Sequence, residues 1–309
     1  MITLSGAIEG FWLTKRRDLS PHTVSDYSVT FRRLLDYAGA DTPFDQISGR
    51  LLNQFLDYLI DEFEIGAKTL LNAWIALSSL WTWATIELGA KHTIRDHVRK
   101  PRPRPPLIRE YTPEEIRALL DQCAIYNAYD PRHDRHVVGV RPSALRDRAI
   151  IVLLLDTGLR AEELCSLLIS DYDTKRGSIT VRHGKGDKPR TVYLGDVSRK
   201  HLWRYLASRP ATQPRSPLFA SRKGGKLDGG GVRRLIIRLG VRCGVPDATL
   251  HRFRHTFALN FIRNGGNLFA LQDLLGHASL EMVRRYARLA ESDLQAAQQR
   301  ASVADRWRL

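Results

Sequence analysis

A proline-rich segment, RKPRPRPPLIRE at residues 99–110, divides the chain. Proline lacks the amide N–H and fixes its own backbone dihedral, so four prolines in twelve residues favour an extended chain over a helix or a sheet. We therefore predict a linker between two domains, residues 1–98 and residues 111–309. The five basic residues and one acidic residue of the segment fit two interpretations equally, a solvated linker or a basic linker that follows an anionic backbone.

The first domain is predicted to be all-α. Ser20 followed by Pro21 is a helix start, because serine caps the free amides and proline suits the first helical position. Apolar residues then recur at helical spacing in three segments, and strand-like alternation is absent. These residues are Val24, Tyr27, Phe31, Leu34 and Leu35; Leu51, Leu52, Phe55, Leu56 and Leu59; and Leu70, Ile75, Leu77, Leu80, Trp81 and Ile86. With a further helix before Asp18, they predict a small helical bundle.

The second domain is predicted to be mainly α with a small β-sheet, an α+β arrangement. Thr112 and Glu115 form a capping box at its first helix. A buried helix over 146–156 ends at Thr157–Gly158, and another begins near Ala161. Two short strands are predicted over 178–182 and 190–194, joined by the basic turn HGKGDKP. The polar stretch from Tyr126 to Pro142 is predicted to be an irregular surface loop.

The overall charge favours a polyanionic partner. The chain has 309 residues, 48 Lys and Arg against 33 Asp and Glu, and a net charge of +15, which suits nucleic acid although a basic surface alone is a weaker explanation. Its three separated cysteines predict neither a disulfide framework nor a zinc finger. The longest apolar run, 149–155, is too short to cross a bilayer. With no secretory leader pattern either, we expect a cytoplasmic protein without a membrane partner.

The chain does not match known nucleotide-binding or metal-binding motifs, and the mismatches lie at specific positions. A Walker A loop would need Gly where the chain has Ala220, and Ser or Thr where it has Leu227. His251 and His255 have the spacing of a metal pair, but Arg252 stands where a metalloprotease has Glu, and Arg254 adds a second positive charge that would repel a cation. We therefore predict no metal and no cofactor.

The remaining polar residues form a cationic set in the second domain. Arg160 follows a helix break, and Lys185 lies on the predicted hairpin turn. One side of a helix carries His251, Arg254 and His255. LLGH ends at His277, and Tyr286 follows nine residues later. Arginine, lysine, histidine and tyrosine without a carboxylate pair suit phosphoryl transfer, where catalysis is positioning and stabilisation of negative charge.

These segments resemble the tyrosine recombinase family, also called the phage integrase family, in a Xer-like or mobile-element form. The resemblance rests on five motifs in order across residues 112–290. They are TGLRxxEL at 157–164, the lysine hairpin at Lys185, HxxRH at 251–255, LLGH at 274–277, and the tyrosine at 286. Residues 1–98 resemble, more weakly, the SAM-like core-binding domain of that family. The resemblance implies that the first domain binds DNA and that the second is catalytic.

By the same resemblance, each residue of the set has a role. Arg160 and Arg254 would bind the non-bridging oxygens of the scissile phosphate, for which bidentate guanidinium geometry is well suited. Glu163 would support the arginine site. Lys185 would protonate the leaving 5′ oxygen, with Lys188 as its rival on the same turn. His251 would act in proton transfer with the tyrosine, His277 would hydrogen-bond the phosphate, and Tyr286 would attack to give a 3′-phosphotyrosine. His255 is expected to be a structural hydrogen-bonding residue outside the catalytic set.

The resemblance implies a metal- and ATP-independent DNA strand transferase. Its expected substrate is double-stranded DNA, bound by a homotetramer on two sites, with an accessory recombinase or directionality factor as a further partner. Integration, excision, transposition and dimer resolution stay open. Two alternatives differ in activity: a type IB topoisomerase that relaxes DNA, and a catalytically inactive DNA-binding protein of the same fold. Residues 293–309 are expected either to contact a partner subunit or to pack on their own domain.

Overall fold

The computed structural model describes residues 2–104, 107–130, 135–141, 143–182, 189–210, 213–276, 280–290, 298 and 302–307. The chain forms two compact units, residues 1–106 and residues 107–309. None of the described helices is long and apolar enough to cross a membrane.

The N-terminal unit is helical, as its sequence predicts. Its helices are α1 (Leu4–Lys15), α2 (Pro21–Ala38), α3 (Gly49–Phe63), α4 (Ala67–Leu88) and α5 (Thr93–His97), with a 3-10 turn at Phe44–Gln46. Ser20 caps α2 by accepting a hydrogen bond from the Thr23 amide, and Pro21 is the first helical residue. Aromatic and leucine side chains from α1 to α4 form one buried core.

The C-terminal unit is mainly helical with short strands. In chain order it contains α6 (Pro113–Ala124), β1 (Ile125–Asp130), β2 (Arg135–Val140), α7 (Ala144–Thr157), α8 (Ala161–Ser166), β3 (Tyr172–Asp173), β4 (Ser178–Val181), β5 (Arg190–Tyr193), α9 (Asp196–Ala207), α10 (Gly229–Cys243), α11 (Leu250–Arg263), α12 (Leu268–Leu275), α13 (Leu280–Ala290) and α14 (Val303–Trp307). The predicted capping box is present: the Thr112 amide donates to Glu115, and the Glu115 amide donates to Thr112.

The sheet contains the two predicted strands and one that the sequence did not reveal. β4 pairs antiparallel with β5, with Ile179 opposite Val192. The two-residue strand β3 pairs with the other edge of β4. The segment between β4 and β5, residues 183–188, lies outside the described residues.

The prediction of an irregular loop over 126–142 was wrong. β1 and β2 form an antiparallel hairpin, with Ile125 opposite Val140 and Asp130 opposite Arg135. Valines, tyrosines and an isoleucine in these strands favour β structure because branched and aromatic side chains suit a pleated ribbon. The charged residues between them hid that pattern. Residues 131–134 and 142 are outside the described part of the chain.

Two buried clusters organise the C-terminal unit around the candidate site. The larger joins α6, α7, α8 and α10 with the sheet. The smaller contains Ala258, Leu259, Leu271, Leu275, Val283 and Tyr286, so it packs α11 against α12 and α13. Gly158 ends α7 in the left-handed region, at φ 61°. A Cβ there would lie 2.7 Å from Phe257 and 2.9 Å from Leu275, so this turn needs glycine to approach α11 and α12.

Candidate active site

Arg160 and Glu163 are fixed together at the start of α8. Arg160 is the N-cap residue with an extended backbone. Its amide donates to Glu163 Oε2 at 2.9 Å, and its Nη1 donates to Glu163 Oε1 at 2.9 Å. The same carboxylate therefore caps the helix and orients the guanidinium. The Arg160 side chain is 35% exposed, which leaves part of it open to a ligand.

Glu163 binds a second arginine that the sequence analysis did not single out. Arg190, the first residue of β5, donates from Nη1 and Nη2 to the two Glu163 oxygens at 3.0 Å and 2.7 Å. Its Nε donates to the Leu274 carbonyl at 2.8 Å. Arg190 thus connects the sheet, α8 and the end of α12. The sequence contains little indication of the pairing between Glu163 and Arg190. It shows only that Arg190 begins a predicted strand, and a buried glutamate needs a cationic partner.

Glu163 stays ionised although it is buried. Burial is the largest influence on its pKa and raises it, because a carboxylate loses hydration there. The hydrogen bonds from Arg190 and from the Arg160 amide, with the arginine charges, outweigh burial and hold the pKa below its usual value. The carboxylate is therefore a fixed negative charge between two guanidinium groups.

Arg254 reaches the same place from α11. It is buried, and it donates from Nη1 to the Gly158 carbonyl at 2.9 Å and from Nη2 to the Leu275 carbonyl at 2.7 Å. Arg160 Nη1 also donates to the Leu275 carbonyl, at 3.4 Å. The carbonyl end of α12 thus attracts both guanidinium groups, as the negative end of a helix does. Burial, and next the Arg160 charge, lower the pKa of Arg254 to about 10, so it remains protonated at neutral pH.

The two histidines of α11 lie side by side near Tyr286. The rings of His251 and His255 are 4.3 Å apart, edge to face, and His251 is exposed. His255 Nδ1 is 2.8 Å from the Tyr286 hydroxyl oxygen. Tyr286 lies on α13 and is fully buried. From the sequence, His255 is expected to lie outside the catalytic set. In the structure its Nδ1 is within hydrogen-bonding distance of the hydroxyl of Tyr286, the predicted nucleophile.

The electrostatics of these groups reflect burial and the nearby arginines. Burial raises the pKa of Tyr286, while the charges of Arg254, Arg285 and Arg160 oppose that rise. Burial lowers the pKa of His255 to about 4, helped by His251, Arg285 and Arg254. Although part of the His251 ring is exposed, loss of hydration from the surrounding protein lowers its pKa, followed by the charges of Arg254 and Arg160. His255 is therefore neutral at pH 7, so one of its ring nitrogens can accept a proton.

The structure brings together five of the predicted residues: Arg160, Glu163, His251, Arg254 and Tyr286. Lys185, its rival Lys188, and His277 lie outside the described residues. The two ends of the segment that carries Lys185 and Lys188 are anchored. Arg182 pairs with the buried Asp171 on one side, and Arg190 pairs with Glu163 on the other.

Comparisons with known proteins agree with this arrangement. Residues 110–293 match the model of the phage integrase family, and residues 8–87 match that of the phage integrase N-terminal SAM-like domain. Tyrosine recombinase XerC of Mycobacterium sp. (strain KMS) is 30% identical over 297 residues, which cover 94% of this chain and 95% of that protein. Tyrosine recombinase XerA of Pyrococcus furiosus is 32% identical over 209 residues, 67% of each chain.

Solved structures show the same fold. The structure of the Tn1549 transposon integrase in complex with circular intermediate DNA aligns with a TM-score of 0.77 at 19% identity, covering 98% of this chain and all of that one. The family match extends over more than half of the chain and includes every residue of the candidate site. The chain therefore belongs to the phage integrase family of tyrosine recombinases, which are DNA strand transferases.

Proposed function

We propose that this protein is a site-specific recombinase that cleaves and rejoins duplex DNA through a 3′-phosphotyrosine at Tyr286. One observation carries the proposal: the hydroxyl of Tyr286 meets His255 at 2.8 Å in the field of Arg254 and Arg160. A phenol, a neutral histidine and two guanidinium groups from α8, α11 and α13 supply a nucleophile, a proton acceptor and positive charge for a phosphate.

Arg160 and Arg254 are proposed to bind the non-bridging oxygens of the scissile phosphate. A guanidinium has five N–H donors. Arg254 directs one each from Nη1 and Nη2 to backbone carbonyls, and Arg160 directs its best hydrogen bond to Glu163. Both retain donors for phosphate oxygens, and both are held in place before DNA arrives. Such preorganisation lowers the free energy of a transition state in which negative charge accumulates.

The remaining roles rest on the family resemblance. Lys185, with Lys188 as the alternative, is proposed to protonate the leaving 5′ oxygen, and His277 to hydrogen-bond the phosphate. The resemblance gives proton transfer to His251, but the ring within hydrogen-bonding distance of Tyr286 is that of His255, so His251 is proposed instead to contact the DNA. Retaining the phosphodiester bond energy in the tyrosine link makes ATP unnecessary, and the arginines take the place of a metal in neutralising the phosphate.

The burial of Tyr286 sets a condition on this chemistry. Because the residue has no exposed surface, its oxygen must become accessible to the phosphate when DNA binds. Tyr286 is on α13, which packs on α11 in the smaller cluster. We propose that DNA binding exposes this oxygen while α13 stays packed on α11, so that the contact between Tyr286 and His255 is kept in the catalytic form.

Double-stranded DNA is the proposed substrate and a homotetramer on two sites the proposed assembly. The net charge of +15 favours a polyanion, and solved relatives include a Xer recombinase bound to its difH substrate and a lambda integrase dimer bound to a core site. The N-terminal unit is proposed to be the core-binding domain, residues 99–110 a basic linker, and the C-terminal unit the catalytic domain. An accessory recombinase or directionality factor would be a further partner.

The proposal is tested by trapping the covalent intermediate with the full chain. A library of nicked duplexes with randomised sequence is incubated with the protein in excess chelator, and protein–DNA adducts are isolated on a denaturing gel and sequenced. We expect adducts with the wild type and none with Tyr286→Phe, since phenylalanine lacks the attacking oxygen. Tyr193→Phe is the matched control, because Tyr193 is 67% exposed on β5.

An adduct that persists in Tyr286→Phe, or is lost equally in Tyr193→Phe, contradicts the assignment of the nucleophile. Loss of the wild-type adduct in chelator, restored by added metal, contradicts the metal-independent mechanism. Recovered sequences then supply a defined substrate, with which exchange between two DNA sites distinguishes recombination from simple relaxation.

A further inference from the structure

We propose that His255 is a catalytic residue of this site, which orients the Tyr286 oxygen and accepts its proton as the oxygen attacks phosphorus. This inference rests on the proposed function, because it requires Tyr286 to be the nucleophile. It reverses the expectation from sequence that His255 is only structural and that His251 alone serves the tyrosine.

Geometry is the first support. His255 Nδ1 and the Tyr286 oxygen are 2.8 Å apart, within the range for proton transfer between a base and a nucleophile. The two residues come from different helices, α11 and α13, so their contact depends on the packing of these helices. The His251 ring meets the His255 ring edge to face at 4.3 Å and restricts its rotation. His255 is thus a base candidate that a third group holds in place.

The charges around His255 are the second support. The titratable and charged groups that face it among the described residues are His251 and Arg254 on its own helix, and Arg285 and Tyr286 on α13. The positive charges among them disfavour a protonated His255 in the absence of DNA, although burial is the larger cause of its lowered pKa. A scissile phosphate at Arg254 would offset that positive charge, so DNA binding should make His255 more basic at the moment when a base is required.

The proton balance is complete without further reactants. As the bond from the Tyr286 oxygen to phosphorus forms, the phenol proton passes to Nδ1 of the neutral His255 tautomer that has its hydrogen on Nε2. The bond from phosphorus to the 5′ oxygen breaks, and the leaving oxygen takes a proton from the general acid, proposed above as Lys185. In rejoining, the 5′ hydroxyl attacks, and protonated His255 returns its proton to the departing tyrosine.

His251 is less well placed for this step. Its ring is exposed and contacts the His255 ring, whereas the hydrogen bond to the tyrosine oxygen is made by His255. An exposed histidine beside Arg160 and Arg254 suits a contact with the DNA phosphate. The two histidines of HxxRH therefore have different partners: His251 contacts the DNA, and His255 contacts the nucleophile Tyr286.

The test is single-turnover adduct formation by His255→Asn on a substrate recovered as above, across neutral to mildly alkaline pH. Asparagine keeps an oxygen acceptor near the position of Nδ1 but cannot take up a proton. We expect unchanged DNA affinity and a loss of cleavage rate at neutral pH of about 10²-fold or more, the usual contribution of a general base. The loss should shrink as pH rises, because solvent base then removes the phenol proton.

His255→Gln is the second variant, since its longer carboxamide also lacks basicity and guards against a local folding defect in His255→Asn. His201→Asn on α9 is the control for a histidine outside the site. Thermal unfolding of each variant establishes that the chain is folded. A rate for His255→Asn close to the wild type, or a loss that is the same at every pH, overturns proton acceptance by His255.

Cleavage that is faster in His255→Asn also overturns the proposal, and shows instead that His255 restrains Tyr286 in its buried position. Failure of this inference is distinguishable from failure of the proposed function. If Tyr286→Phe loses the adduct while His255→Asn cleaves normally, Tyr286 stays the nucleophile and only the role of His255 is wrong. If Tyr286→Phe still forms the adduct, both fail.

Discussion

The two units of the chain differ in what they bury. The N-terminal core is aromatic: Phe11 meets Phe31 at 5.5 Å and Trp83 at 6.2 Å, both edge to face, and Phe44 stacks on Trp81 at 4.8 Å. Among its described residues, the buried polar ones are Thr30 and His92, and none carries a permanent charge. Where its side chains are described, the C-terminal unit buries five charged residues: Asp147, Glu163, Asp171, Arg252 and Arg254.

The aromatic core of the N-terminal unit stabilises its fold, whereas buried charges such as those of the C-terminal unit call for a functional explanation. Aromatic packing stabilises a fold without any desolvated charge, and edge-to-face pairs add about 0.5–1.5 kcal/mol each beyond their buried area. A buried charge costs free energy unless it is paired, so it is weak evidence for stability. Four of these five residues form ion pairs, and Arg254 donates instead to two backbone carbonyls. Glu163 and Arg254 lie in the candidate site. We interpret those two as serving the reaction.

The largest effect is expected for Arg254→Lys, which tests whether the buried charge of Arg254 serves catalysis. One ammonium cannot reach the Gly158 and Leu275 carbonyls and a phosphate together, so we expect single-turnover cleavage to fall roughly 10³-fold. Arg209→Lys is the matched control, since Arg209 Nη1 also donates to two backbone carbonyls, those of Pro217 and Leu218, away from the site. Equal cleavage rates for the two variants would make the buried charge of Arg254 purely structural.

The sequence predicted the elements better than the contacts between them. The caps at Ser20 and Thr112 and the break at Gly158 are local, because each depends on residues within about one helical turn. The contacts of Glu163 with Arg190 and of Tyr286 with His255 join residues 27 and 31 positions apart. Their formation depends on how β5 and α13 pack, and spacing along the chain carries little information about that packing.

The prediction of a loop where the β1–β2 hairpin lies was wrong for a different reason. Its strands mix β-branched residues with charged ones, so composition indicated a loop although the pairing register is regular over six residues of each strand. Polar or charged residues occur at both odd and even positions of these strands, so the alternation of apolar and polar residues that reveals a strand is weak.

A second, smaller effect is expected on stability, from Glu163→Gln. The folded pKa of Glu163 lies below its usual value, so its ionised form favours the folded state above the unfolded pKa of about 4.3. That contribution is lost as pH falls through the folded pKa. The variant should lose about 2 kcal/mol at neutral pH, the scale of hydrogen bonds to a charged group, and the stability of its C-terminal unit should depend less on acid pH.

Hydrogen exchange measured by mass spectrometry over a range of acid pH resolves the two units and checks this prediction. Glu62→Gln, at an exposed position of α3, is the matched control for the N-terminal unit. An acid dependence of exchange in the C-terminal unit that is the same in Glu163→Gln and the wild type would show that the buried glutamate does not stabilise the fold by its charge.

The smallest effect is expected at Trp83, whose buried Nε1, like Arg252 Nε, lacks a hydrogen-bond partner among the described residues. Trp83→Phe removes an unpaired N–H, which offsets the packing lost over Gly10, so we expect the free energy of unfolding to change by no more than about 1 kcal/mol. Arg252→Met also removes an unpaired N–H, but it takes the arginine charge from Glu115 and a donor from each of two backbone carbonyls. It should cost about 3 kcal/mol or more. Urea unfolding of both variants measures the contrast, and a larger cost for Trp83→Phe would show that the aromatic core, too, depends on a polar contact.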